Sequence, residues 1–118
     1  MPSNCEVDVR RLPGTVVLVI RGEIDSSASQ PLQAAYAGTL GPDMATRVVL
    51  DFTAVDYMNS TGIALIVGIL AQARAEHRTV AASGLSEHYR QIFELTRLDE
   101  AITIFDDETA ALAALTSR

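Results

Sequence analysis

Leu50-Asp51-Phe52-Thr53-Ala54-Val55-Asp56-Tyr57-Met58-Asn59-Ser60-Thr61-Gly62-Ile63 is the stretch on which the reading of the fold turns. Its front end completes Arg47 to Phe52, a β-branched, apolar run expected to be a buried strand. Its back end opens a helix. Asn59-Ser60-Thr61-Gly62 offers cap-forming residues, and Ile63, Ile66, Val67 and Leu70 follow at helical spacing. Leu65, Ile69 and Ala73 widen that stripe, so the helix should pack hard on a sheet.

Working upstream, Val7 to Arg11 alternates as a short strand and stops at the turn Leu12-Pro13-Gly14. Thr15 to Arg21 is nearly continuous in apolar character, the pattern of a strand covered on both faces, and Gly22-Glu23-Ile24-Asp25 extends it. Ser26, Ser27 and Ser29 are cap candidates for a helix with Pro31 in its first turn and Leu32, Ala35, Tyr36 and Leu40 on its apolar face. Gly41-Pro42-Asp43 breaks it. Downstream, Thr79 to Ser83 reads as a strand, and Ser86 caps a helix carrying Tyr89, Ile92, Phe93 and Thr96. Ile102 to Phe105 is the last strand, and Asp107 caps a final helix with Ala111, Leu112 and Leu115.

This alternation predicts one α/β domain over residues 1–118, with its core at about 7–115. The sheet should be mostly parallel or mixed, covered by about four to five helices. Loops after the carboxyl ends of such strands hold functional sites. Three are expected on one edge: Asp25 to Ser29, Val55 to Gly62, and Gly84 to Ser86.

Composition removes whole classes of function. The formal charge is −6 and the pI about 4.7, which repels nucleic acid and anionic membranes alike. No lysine occurs among the nine cations, so chemistries that need one on a phosphate or in a Schiff base lack an essential part. The longest apolar segment, around Ile63 to Ala71, is too short to span a bilayer, and no signal-peptide pattern opens the chain. One cysteine, Cys5, cannot form an internal disulfide, which suits a cytoplasmic setting.

Asn59-Ser60-Thr61 admits two readings. Ser, Thr and Asn are favoured at helix starts for stability alone, at about 1 kcal/mol. Yet a cap needs one such residue and three adjoin here, so Ser60 is also a candidate phospho-acceptor. A phosphate there would add roughly −1.5 to −2 charge at pH 7, tolerated by the free N–H groups of the helix end. A serine hydrolase would need a neighbouring base, but His77 and His88 fall on distant helix positions and are expected to face solvent. One cysteine and two separated histidines give no zinc spacing. Asp51, Asp56, Asp106 and Asp107 read as strand ends and caps, and Glu94 with Arg97 as a surface pair. The asparagine also begins a glycosylation triplet, a chance match without a secretory signal. The chain is read as non-catalytic, with no cofactor and no metal.

The Leu50–Ile63 run resembles the signature of the STAS domain of bacterial anti-sigma factor antagonists, in which a strand ending in Asp-x-Ser/Thr precedes an Asp-Ser-Ser-Gly-Leu helix start. Gly22-Glu23-Ile24-Asp25 is similar to that family's Gly-Glu-Leu-Asp segment, and Arg90 to Ile104 to its last helix and strand. The resemblance implies a phosphorylation-controlled partner switch. In that family the unmodified protein binds an anti-sigma factor that is itself a serine kinase, and so releases a sigma factor. Phosphorylation dissociates the pair, and a serine phosphatase resets it. By position Ser60 matches the acceptor, with Thr61 as the alternative, and Asp25, Asn59, Thr61, Gly62 and Ile63 match the partner-binding surface. ATP belongs to the partner. Asn59 departs from the family's usual aspartate and removes a negative charge beside the acceptor. A homodimer is left open. The alternative within the same fold is a non-phosphorylated STAS adaptor subunit of a lipid-transport ABC complex or a larger signalling assembly. A small-ligand or nucleotide-binding domain is a third reading, weakened by the lack of a glycine-rich phosphate loop.

Overall fold

Pro13-Gly14 turns strand β1 (Cys5–Leu12) back on strand β2 (Thr15–Ile24), with Gly14 at φ +73° where a side chain would be strained. In the computed structural model, which describes residues 4–41 and 44–116 without the side chains of 115 and 116, this hairpin is the antiparallel edge of a five-stranded mixed sheet. Strands β3 (Arg47–Met58), β4 (Thr79–Ser83) and β5 (Thr103–Phe105) follow in parallel, in the order β1-β2-β3-β4-β5. Helices α1 (Ser29–Ala37), α2 (Ser60–Ala75) and α3 (Glu87–Leu95) connect them, and α4 (Glu108–Thr116) closes the chain.

Parallel crossovers are right-handed, and here every one steps the same way along the sheet. Right-handed steps in one direction put their helices on one face. Accordingly Leu32 and Tyr36 of α1, Ile66, Ile69, Leu70 and Ala73 of α2, and Phe93 of α3 share one core with Val16, Leu18, Ile20, Val48 and Leu50. Phe93 meets Phe52 edge-on at 6.1 Å. Only after β5 does the chain turn under, so Ala111 of α4 covers Val17, Val49 and Ala81 on the opposite face. That layering explains the unbroken apolar runs in β2 and β3. Both faces are covered.

Several expectations need correction. Leu40 lies beyond the end of α1 and is 38% exposed, because the helix stops at Ala37. Val67 faces solvent at 42%, while Gly62, Ile66, Ile69, Leu70 and Ala73 are the buried side of α2. No side chain of the serine cluster caps α1. The chain enters it through a single 3-10 turn, Ser26–Ala28, whose own cap is Asp25. Arg97, at φ +63°, pairs with Glu100 at 3.5 Å rather than with Glu94. Leu115 lies outside the described side chains.

Arg78 is a feature that periodicity did not reveal. Although 95% buried, it donates to the Ala45 carbonyl at 2.8 Å and to Thr39 Oγ1 at 2.9 Å, and its guanidinium lies over the Tyr36 ring. It ties the end of α1 to the starts of β3 and β4. No helix among the described residues is long and apolar enough to cross a membrane.

Candidate functional site

Strand β3 continues well past its last β4 partner, since Asp51 pairs with Ser83 and the strand ends only at Met58. β2 runs alongside to Ile24, so the two strands form a projecting tip roughly 20 Å long. The residues Val55 to Met58, expected as loop, belong to this tip. Two register shifts, between Val19/Arg21 and Gly22/Glu23, bend it. Among the tip's side chains, Tyr57 is 48% exposed. The Gly84 loop consequently stays lower down, against Thr53, and does not share the tip as expected. From that side α3 reaches up, where the Tyr89 hydroxyl accepts the Met58 N–H at 2.8 Å.

At the tip Asn59 N donates to the Ile24 carbonyl at 3.3 Å, which brings the loops after β2 and β3 together. Gly62 explains how closely. A Cβ on it would sit 1.7 Å from the Ile24 carbonyl oxygen, so only glycine lets the first turn of α2 press on the end of β2. Gly62 is therefore buried beneath the expected partner surface rather than part of it. Ile63 is half-buried, Asp25 and Asn59 are partly exposed, and Ser60 and Thr61 are exposed.

The cap belongs to Asn59. Its backbone is extended (φ −102°, ψ −176°) and its Oδ1 accepts the Gly62 N–H at 2.9 Å, while its carbonyl takes the first helical bond from Ile63. Ser60 is thus the first helical residue, and its hydroxyl makes no hydrogen bond among the described residues. The N–H groups of Ser60 and Thr61 have no intrahelical acceptor and point outward with the positive end of the helix dipole. An anion placed on the Ser60 hydroxyl would meet these donors without disturbing the cap. Asp25, across the tip, accepts from Ser27 N at 2.9 Å and Ser27 Oγ at 2.5 Å. The Ser27 hydroxyl and then its N–H hold the Asp25 carboxyl below the usual carboxylate range, so it stays charged. Among the described residues no three His, Cys, Asp or Glu side chains gather as metal ligands.

Sequence reasoning located Asp25, Asn59, Ser60 and Thr61, and the fold brings them to one tip. It missed Tyr89, which looked like an ordinary core residue of α3, and Tyr57, whose exposure depends on the bends in the tip.

Comparisons with known proteins agree on kinship. A family model described as Mlab, STAS domain, matches residues 7–105. The anti-sigma-B factor antagonist of Listeria monocytogenes is 31% identical over 103 residues, covering 86% of this chain and 89% of that protein. A putative anti-sigma factor antagonist of Bordetella bronchiseptica, BtrV, is 25% identical over 88% of this chain and 89% of its own. Among solved structures, an anti-sigma factor antagonist from Mycobacterium paratuberculosis superposes with a TM-score of 0.76 at 22% identity, over 97% of this chain and 96% of that one, which speaks to the fold.

Proposed function

Because this chain belongs to the STAS domain family, we propose that it is an anti-sigma factor antagonist working as a phosphorylation-controlled partner switch. Unmodified, it binds an anti-sigma factor that is also a serine kinase, and so frees a sigma factor. The kinase phosphorylates Ser60, and a serine phosphatase restores the binding form. The protein itself is non-catalytic, and its setting is the cytoplasm.

One observation carries this reading: Asn59 caps α2, so the exposed Ser60 hydroxyl is left without a structural task. Thr61, one residue on, is exposed too and is the alternative acceptor. A phosphate at Ser60 brings roughly −1.5 to −2 charge to a tip that already holds Asp25, Asp56 and Glu23. The modified tip repels an acidic or apolar partner surface by several kcal/mol. Each 1.4 kcal/mol is tenfold in affinity, so a hundredfold loss or more is expected. Asn59 keeps the capping acceptor of an aspartate while removing its charge, which eases phosphate placement beside it.

The test is mass spectrometry after incubation with candidate anti-sigma kinases and ATP, alongside calorimetry of the complex. A single phosphate on Ser60, weakened binding by Ser60→Asp and retained binding by Ser60→Ala support the switch. Equal affinity for wild type and both variants sinks it.

A further inference from the structure

We propose that two copies of this chain pair edge to edge through β1, in a two-fold antiparallel register centred on Val9, so that their sheets join into one. Strand β1 is an outer strand of the sheet, and among the described residues it pairs with β2 alone. Its register fixes which backbone groups are free. The two-residue turn makes Leu12 and Thr15 a hydrogen-bonded pair, and from there hydrogen-bonded and non-bonded pairs alternate. Glu6, Asp8, Arg10 and Leu12 thus spend their N–H and C=O groups on β2. Val7, Val9 and Arg11 direct theirs outward. The bond from Glu23 N to the Asn4 carbonyl at 3.0 Å continues the same alternation.

Outer strands are usually guarded by charge, and β1 carries four charged residues. Their order decides whether a second copy is repelled or admitted. Two-fold pairings that join the outward groups can be centred on Val7, Asp8, Val9 or Arg10. Centring on Asp8 sets that carboxylate against its own copy, and centring on Arg10 does the same with guanidinium. Centring on Val7 opposes Glu6 with Asp8. Centring on Val9 alone places Asp8 of each copy opposite Arg10 of the other, the stabilising arrangement for cross-strand neighbours. In that register two N–H···O bonds form at the Val9–Val9 pair and two at each flanking Val7–Arg11 pair. Asp8 and Arg10 already pair with Arg21 and Glu108 in their own chain, yet their side chains keep 61% and 52% exposure and remain reachable. The joined edge lies two strands away from β3, at whose end Ser60 sits, so both tips stay open.

Light scattering coupled to gel filtration, run over a concentration series, is expected to show the mass rising from one chain toward two. Hydrogen–deuterium exchange on the wild type should show the Val7, Val9 and Arg11 amides gaining protection with concentration, beside Asp8 and Arg10 amides protected throughout. Val9→Pro removes an outward N–H and no bond to β2; it also trims a half-buried side chain that packs on the core, a loss a folded domain should absorb, so it is expected to remain folded but monomeric. Asp8→Arg, which opposes arginine with arginine across the join, should also lose the dimer. A single-chain mass at every concentration overturns the proposal. So does a dimer whose Val7, Val9 and Arg11 amides still exchange freely, or one that survives in folded Val9→Pro, since either would use another surface.

Discussion

Replacing Asn59 by alanine removes the acceptor for the Gly62 N–H and should cost about 1 kcal/mol, a fall in Tm of roughly 4 °C. Ser60→Ala, which touches no hydrogen bond among the described residues, should melt with the wild type. Differential scanning calorimetry separates the two, and an equal loss from Ser60→Ala would return the cap to the serine. The sequence could not make this division. Asn, Ser and Thr cap helices almost equally well, and what selects Asn59 is its extended backbone, set by its bond to Ile24 on a different strand. Gly62 shows the same limit. Its place in the motif was visible, but the carbonyl that would collide with a Cβ comes from β2 and is seen only once the elements meet.

For elements, α2 is the instructive case. Nearly every residue from Ile63 to Ala73 is apolar, so its period says helix without saying which side faces the sheet. The expected stripe placed Ile66 and Val67 together, and the structure separates them. Ile66→Ala should therefore cost about 3 kcal/mol through the cavity it leaves, while Val67→Ala should change stability by no more than about 0.5 kcal/mol. Urea denaturation of the pair checks this, and similar losses at both positions would contradict the assigned packing face. The exposed side begins next to Ser60, runs uncharged through Ala64, Val67, Gly68 and Ala71, and meets its first charge at Arg74. Helix caps were easier to read than helix faces. Ser86 and Asp107 accept from Tyr89 N and Ala110 N, as their positions before apolar runs suggested.

At the scale of the molecule, a sheet wound in one direction has no point where strand order reverses, and so lacks the crevice in which doubly wound folds bind small ligands. What it offers at the strand ends is a projecting tip, suited to meeting another protein surface. The same winding leaves one face of the sheet to α4. A chain ending at Asp107 should expose Val17, Val49 and Ala81 together, bind a hydrophobic dye and lose its sharp thermal transition. Cooperative melting at an unchanged temperature would show that α4 adds no cover that matters.

By itself the sequence determined the order of strands and helices, the single-domain architecture, and the Asn59-Ser60-Thr61 helix start, because local periodicity and capping chemistry operate over a few neighbouring residues. The tertiary structure alone decided that β3 outruns β4, that Val67 faces water, that Arg78 is buried with two of its guanidinium nitrogens bonded to Ala45 and Thr39, and that Asn59 relieves Ser60 of capping. Each of these depends on a partner group far away in the chain. A residue's neighbours in sequence set where its side chain points, but burial and hydrogen bonding are settled by what other elements bring against it.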